Sequence, residues 1–144
     1  MTKHIPTAAR YLLGSIFFVF GLNGFLGFLP QPPLAPEGGA FLGALAAAGY
    51  MFPLIKGTEV VASLLLLSNR FVPLSLALLA PITFNIVAFH AFLSPGLALP
   101  LVVLALQLYL AYAYRAQYRS MLQASATPAI PSSTRPRSTQ AVHA

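Results

Sequence analysis

The chain has 144 residues, of which 58% are hydrophobic and 7% are charged, and its net charge is +6. A soluble domain carries roughly 25% charged residues, so this chain has too few polar groups to cover a surface in water and is predicted to be one small integral membrane domain. The basic residues stand at segment ends rather than in a patch, which excludes a nucleic-acid partner, and the lack of cysteine excludes disulfides and thiolate metal sites.

Four apolar segments follow one another along the chain. A membrane-spanning helix needs about 20 apolar residues, and spans are predicted at about 8–29, 53–68, 71–93 and 97–118. The first is interpreted as an uncleaved span, because it exceeds the apolar core of about 7–15 residues of a signal peptide. Pro81 lies inside the third span, where it removes a backbone donor and is expected to kink the helix.

The connecting segments differ from the spans in composition. Residues 30–39 hold four prolines and are expected to form an extended loop. Residues 39–50 (GAFLGALAAAGY) favour a helix too short to cross a bilayer, so a short extra helix is expected at one membrane face. Residues 120–144 resemble a disordered tail in composition. The predicted fold is all-α: a four-helix integral membrane bundle in residues 1–119, with the short extra helix in the outer loop between helices one and two.

Cationic residues set the expected orientation. With four spans, the N-terminus, the turn at 68–71 and the tail share one side of the membrane. Seven of the eight cationic residues fall on that side: Lys3, Arg10, Arg70, Arg115, Arg119, Arg135 and Arg137. By the positive-inside rule both termini are predicted to be cytoplasmic.

Polar residues within the spans concentrate at one depth. At about 1.5 Å per helical residue, Asn23, Glu59 and Asn85 fall within roughly 9–12 Å of the outer face. Lys56 and His90 lie above them, closer to that face. Ionisable residues inside a membrane are expensive and commonly functional, so these five residues are the candidates for ligand binding or proton handling.

Helical angles refine this placement. Lys56, Glu59 and Ser63 follow an i, i+3, i+7 pattern and share one helix face. Asn85 and His90 are about 140° apart around their helix, and we expect Asn85 to point inward and His90 to lie near the rim. We expect Glu59 to remain ionised at neutral pH because Lys56 lies one turn away.

Each candidate also has a purely structural interpretation. Lys56 and Glu59 can be an ion pair that only supports the fold, or Lys56 can extend to the outer interface. Asn23 and Asn85 can form hydrogen bonds between helices, and His90 can be an interfacial residue. Glycines at positions 14, 21 and 24 form a strip of small residues on the first span that favours close helix packing.

Three segments resemble the DoxX family of small four-helix bacterial membrane proteins. They are GLNGF (21–25), PLIKGTEVVASLLLLSNRFVPLSLALLAP (53–81) and NIVAFHAF (85–92), and the resemblance covers roughly residues 8–119. It implies a four-helix bundle in the bacterial inner membrane, and some relatives are associated with quinone-linked oxidoreductase complexes. The matching polar positions are Asn23, Lys56, Glu59, Asn85 and His90. Ser63 departs from the pattern, since many relatives have glycine there.

The leading functional hypothesis is a membrane subunit of a quinone-linked oxidoreductase or redox-associated complex. Asn23, Asn85 and His90 would bind a quinone carbonyl in an outer-leaflet cavity, and Glu59 would exchange a proton with it. The chain has one histidine within its spans and no cysteine, so it is expected to bind no metal, haem or iron–sulfur cluster by itself. Electrons would come from a soluble or membrane redox partner, and no catalytic residue is predicted.

Two alternatives from other functional classes stay open. One is a small proton-coupled multidrug-type transporter, which is disfavoured because Lys56 keeps Glu59 ionised. The other is a membrane scaffold that recruits partner proteins through its helix faces or its tail. The partners expected under these hypotheses are the lipid bilayer, a redox protein, or further copies of the chain.

Overall fold

The computed structural model describes residues 4–30, 33–119, 121 and 124–125. Within those ranges the protein has five α-helices, one 3₁₀ turn and no β-strand. The elements are α1 (Ile5–Leu26), α2 (Pro36–Ala47), α3 (Met51–Leu67), α4 (Val72–Phe92), α5 (Ala98–Ala113) and the 3₁₀ turn Arg115–Tyr118. The predicted all-α class is confirmed. The predicted tail 120–144 lies almost entirely outside the described residues.

Two to three of the helices are candidate membrane spans. The 22-residue α1 and the 21-residue α4 are each long and apolar enough to cross a bilayer. The third candidate is α2 and α3 taken together, although these two helices meet at an angle of 91°. Helix α5 is apolar and shorter, with 16 residues. Apolar helices of these lengths indicate a membrane protein, because their outward faces need lipid around them.

The four longer helices pack in a closed ring. Helix α1 packs against α3, α3 against α4, α4 against α5, and α5 closes the ring on α1. Helices α1 and α4 therefore occupy opposite corners. The buried apolar core draws on all four helices, including Leu13, Leu66, Leu79 and Leu110. One end of this bundle holds the turn between α3 and α4 and is here called the turn end, and the other is called the α2 end.

Glycines allow α1 to approach α3 closely. A Cβ atom at Gly14 would lie 3.0 Å from the Leu67 side chain, and one at Gly21 would lie 3.0 Å from Val60. At Gly24 the same atom would lie 2.5 Å from the stem of Lys56. The predicted small-residue strip is thus the surface on which α3 packs, as expected where helices associate through close backbone approach.

The turn between α3 and α4 ends α3 in a Schellman motif. The Arg70 amide donates to the Leu65 carbonyl at 2.9 Å, and the Asn69 amide donates to Leu66 at 3.1 Å. Asn69 has a φ of 56°, a left-handed conformation that asparagine tolerates better than most residues. The carbonyls at this helix end also accept hydrogen bonds from a side-chain donor on α1.

That donor is Arg10, which the sequence had placed among the cations flanking the membrane. Its side chain lies inside the bundle, with the residue 4% exposed. The guanidinium Nη1 donates to the Leu66 carbonyl and, at 3.3 Å, to the Leu67 carbonyl. A helix C-terminus carries partial negative charge, so it stabilises a cation that has no acidic partner. Arg10 therefore ties α1 to the end of α3.

Amide hydrogen bonds join α4 to α5. Gln107 Nε2 donates to the Leu76 carbonyl at 3.0 Å, and the Thr83 hydroxyl donates to Gln107 Oε1. Both side chains are buried. Helix α4 continues through Pro81 as one helix, and these contacts hold it to α5 on either side of the proline.

The short extra helix exists, but it begins earlier than expected. Residues 36–39 were assigned to the extended loop, whereas α2 starts at Pro36. Proline favours the first helical position because its φ is already helical, and Glu37 in the first turn suits the positive helix end. Gly38 is buried against the Leu93 carbonyl, where a Cβ atom would lie at 2.6 Å. This contact fixes α2 on the end of α4.

Candidate functional site

A cavity of about 400 Å³ opens between α1, α3 and α4 beneath α2. We call it the first cavity. Its polar lining consists of Asn23, Lys56, Glu59, Asn85 and His90. The rest is mostly apolar and aromatic, with Phe20, Phe41, Phe52 and Phe89 among the lining residues. The structure thus brings all five candidate residues together around one space, although it does not test what they bind.

Lys56 and Glu59 form an ion pair in the wall of this cavity. The Lys56 ammonium donates to both carboxylate oxygens of Glu59, at 3.1 and 2.9 Å. The side chains are 20% and 2% exposed, respectively. Because the lysine stem packs on Gly24, the ammonium is held over the carboxylate rather than extended to the interface. Two opposite charges at this spacing compensate each other in a medium where a lone charge is costly.

Asn23 has a role that the sequence did not suggest. Its Oδ1 accepts a hydrogen bond from the Leu29 amide at 2.6 Å. This contact folds the chain over the C-terminal end of α1, where Gly27 adopts a left-handed φ of 61°. The carbonyl oxygen of Asn23 is therefore already used by the backbone, and what it can offer a ligand in the first cavity is its amide N–H groups.

Asn85 and His90 differ from their expected orientations. Asn85 was expected to point inward, but the residue is exposed, although it is among those that line the first cavity. His90 was expected near the rim, but it is half-buried and lines both this cavity and a second one. Helix α2 contacts α4 at Phe89 and Leu93, close in sequence to His90 and one to two turns beyond Asn85.

The hydrogen bond of His90 defines its tautomer. His90 Nδ1 lies 2.9 Å from the Ile86 carbonyl oxygen. A carbonyl oxygen only accepts, so Nδ1 must carry the hydrogen. In the neutral ring Nε2 is then an acceptor, and in the imidazolium it is a donor. His90 can therefore take up or release a proton at Nε2 while its other nitrogen stays bonded.

Helix α2 supplies lining residues that sequence reasoning missed. Phe41, Leu42 and Leu45 line the first cavity, and the ring of Phe41 lies 5.9 Å from that of Phe89. The segment had been expected only to form a short helix at one membrane face. The i, i+4 spacing of Phe41 and Leu45 places both on one face and was the available signal, but it does not show which space that face covers.

A second cavity of about 250 Å³ lies between α1, α3, α4 and α5. Lys56, Glu59 and His90 line it as well as the first cavity. Its other walls are apolar side chains of α1 and α5, among them Phe17 and Val103. Nothing in the sequence pattern pointed to this space. The ion pair and the histidine thus separate two cavities rather than line only one.

Comparison with known proteins adds no relative, since no family model, no curated protein and no solved structure matches the chain. The resemblance to the DoxX family stays a prediction. As for metals, the described part of the chain contains no group of three or more His, Cys, Asp or Glu side chains arranged to hold an ion. Functional conclusions therefore depend on the cavities and on the polar groups between them.

Proposed function

We propose that this protein is a DoxX-like, four-span protein of the bacterial inner membrane that serves a quinone-linked oxidoreductase or redox-associated complex. In this proposal the first cavity binds the ring of a quinone-like lipophilic molecule. The observation that carries it is a largely apolar cavity of about 400 Å³ whose few polar groups include a buried ion pair and a histidine. Small-molecule sites typically combine about 300–1,000 Å³ of mostly apolar space with a few convergent polar groups.

Helix lengths and packing support four spans. Helix α3 has 17 residues and α5 has 16, which at 1.5 Å per residue gives each about 25 Å, close to the lower limit for a span. Both pack side by side with the longer α1 and α4 in the ring. With α2 lying across the end, the two termini share a side. The positive-inside rule then places the turn end in the cytoplasm and the α2 end outside.

Hydrogen-bonding capacity favours a ligand that alternates between carbonyl and hydroxyl. Lys56 and the amide groups of Asn23 and Asn85 can donate to a carbonyl oxygen. Neutral His90 presents an acceptor at Nε2, because its Nδ1–H is engaged by Ile86, and Glu59 also accepts. A quinone needs donors and its reduced form needs acceptors, and both kinds of group line the first cavity.

The electrons come from a partner protein in this proposal. Protein ligation of haem or of an iron–sulfur cluster requires suitably placed histidine, methionine or cysteine. This chain has no cysteine, and His90 is the only histidine in its spans. The chain's own contribution is to bind and orient the ring and to handle protons beside it.

One observation favours a second function. Glu59 lines both cavities, and a membrane carboxylate reached from two spaces is what a small proton-coupled transporter requires. The bidentate contact from Lys56 argues against it, because the carboxylate must lose that partner each time it takes up a proton. A transporter would bind diverse cationic or lipophilic drugs, whereas the redox proposal expects selectivity for quinone-like rings.

Ligand-dependent unfolding tests the proposal. The protein in detergent is heated with and without a short-chain quinone analogue, and a ligand at about 100 times its Kd should stabilise the fold by about 2.7 kcal/mol. His90→Phe and Asn85→Leu should lower this stabilisation because they remove polar contacts in the first cavity. Asn23→Leu is a poor probe, since it also breaks the bond to Leu29.

The matched control is Gln107→Leu, which removes a buried amide that lines neither cavity. It should lower the unfolding temperature of the free protein and keep the full response to the analogue. No response in the wild-type protein, or equal responses in the wild type and both cavity variants, would contradict quinone binding in the first cavity.

A further inference from the structure

Three of the side chains that line both cavities can carry protons. Lys56, Glu59 and His90 line both spaces, together with Phe20 and Ile86. These three are the titratable groups that border the second cavity, since α1 and α5 contribute only apolar side chains there. Each of the three therefore has access to two different environments.

The second cavity extends to the end of the bundle that carries α2. Gly96, in the turn between α4 and α5, is one of its lining residues and is exposed. Its φ of 99° is readily adopted by glycine but not by residues with a side chain. At this position the turn therefore places no side chain between the cavity and the surface.

We propose that the second cavity is a water-filled port through which His90 exchanges protons with the aqueous compartment at the α2 end. That compartment is the outer one in the proposed topology, so the inference rests on the four-span arrangement and not on the identity of the ligand. About 250 Å³ is room for several water molecules, each of which occupies roughly 30 Å³ and needs two to four polar partners. Lys56, Glu59 and His90 supply those partners.

The exchange is a proton transfer alone. The Nε2–H bond of a His90 imidazolium breaks, a water molecule in the port takes the proton, and the neutral ring keeps its Nδ1–H bond to Ile86. The reverse step recharges the ring. Because His90 also borders the first cavity, a proton received there can leave through the port without crossing the apolar core at the turn end.

The absence of cysteine makes the port directly testable. Val103 lines the second cavity and is 5% exposed, whereas its neighbour Val102 is 49% exposed and faces outward. Val103→Cys and Val102→Cys therefore place the same thiol at nearly one depth but about 100° apart around α5, one in the second cavity and one on the outer surface. The full chain in right-side-out vesicles is treated with a cationic, membrane-impermeant methanethiosulfonate, which reacts with thiolates. A thiol ionises in water but not in hydrocarbon.

We expect Val103→Cys to react about tenfold or more faster than Val102→Cys, because only the port gives the thiol water in which to ionise. Ala62→Cys, fully buried and away from both cavities, measures reaction through transient opening of the bundle. Equal rates for Val103→Cys and Ala62→Cys would show a dry cavity and overturn the proposal.

A second pair of cysteine variants repeats the test in case one of the first variants misfolds. Ile16 lines the second cavity from α1, and the adjacent Ser15 is exposed, so Ile16→Cys and Ser15→Cys repeat the comparison on another helix. In inverted vesicles the cytoplasmic side of the membrane faces the medium. Reaction of the cavity cysteines only in such vesicles would overturn the outward direction of the port. None of these reaction rates depends on a quinone. The port can therefore be confirmed or overturned even if the protein does not bind the quinone analogue.

Discussion

The two halves of the bundle treat their polar groups differently. In the half near the turn end, Arg10, Ser75 and Gln107 each bond to backbone carbonyls of the same chain. In the half near α2, Lys56 bonds to Glu59 and His90 bonds to the Ile86 carbonyl, but both side chains also border the two cavities. Bonding groups that neither border a cavity nor lack a partner within the fold are not available to a ligand. We therefore expect the polar groups near the turn end to support the fold and those near α2 to be the candidates for chemistry.

Packing differs in the same way. Fully buried leucines fill the half near the turn end, including Leu13, Leu66 and Leu76. Near α2 the interior is lined by aromatic rings such as Phe20 and Phe89, and both cavities occur there. Interdigitated leucines approach the density of organic crystals. In the α2 half, by contrast, the side chains leave two open spaces, and a site needs such spaces.

The largest expected effect concerns the ion pair of the α2 half. Lys56→Met should lower the free energy of unfolding by about 3 kcal/mol, because it leaves the buried carboxylate of Glu59 without a partner. The double variant Lys56→Met with Glu59→Gln should recover most of that loss. Chemical unfolding in detergent measures both values.

Ligand response of the double variant then separates architecture from function. If Glu59 handles a proton or holds the ligand, the double variant should fold and lose the response to the quinone analogue. A stable double variant with a full response would assign the pair to architecture and remove the contrast between the two halves.

The next effect belongs to the turn end. Arg10→Met should destabilise the protein by about 2 kcal/mol, since hydrogen bonds from a charged donor are each worth about 1.5–3 kcal/mol. Arg10→Lys should recover part of this, because it restores the charge at the end of α3 but not the forked geometry. Ligand stabilisation should be unchanged in both variants. A lost ligand response in Arg10→Met would show that the two halves are coupled.

The smallest expected effect concerns Gly24, where α1 packs against the Lys56 side chain of the α2 half. Gly24→Ala should cost about 1–2 kcal/mol, because the added methyl group overlaps the Lys56 stem and overpacking has costs of that order. Gly57→Ala is the matched control on α3, where a Cβ atom meets nothing within 4 Å. It should be neutral or stabilising by up to about 1 kcal/mol, given the helix propensity of alanine. Equal unfolding midpoints for the two variants would contradict close packing at Gly24.

Periodicity and composition predicted which segments are helical better than they predicted the contacts between those helices. All four predicted span segments are helical, and the glycine strip of α1 does pack on α3. The start of α2 was missed by a few residues, because a proline-rich stretch was taken as loop although Pro36 and Glu37 suit a helix start. Arg10 was interpreted as a surface cation, since a sequence does not show that a helix end will lie beside it.

Orientation within the site was the harder problem. Helical geometry correctly separates Asn85 from His90 around α4, but it gives only their relative angle. Which of the two faces the interior depends on where α1, α2 and α3 pack. The role of Asn23 also depends on the folded chain, because its Oδ1 can accept from the Leu29 amide only when the chain turns at Gly27.

Composition alone determined that this chain belongs in lipid, because 7% charged residues cannot solvate a folded surface. Spacing alone determined that Lys56 and Glu59 meet, since residues three apart on a helix are always neighbours. The cavities were decided by tertiary structure only. They are gaps between helices that are distant in sequence, and their size and lining depend on how closely glycines let those helices approach and on where α2 comes to lie.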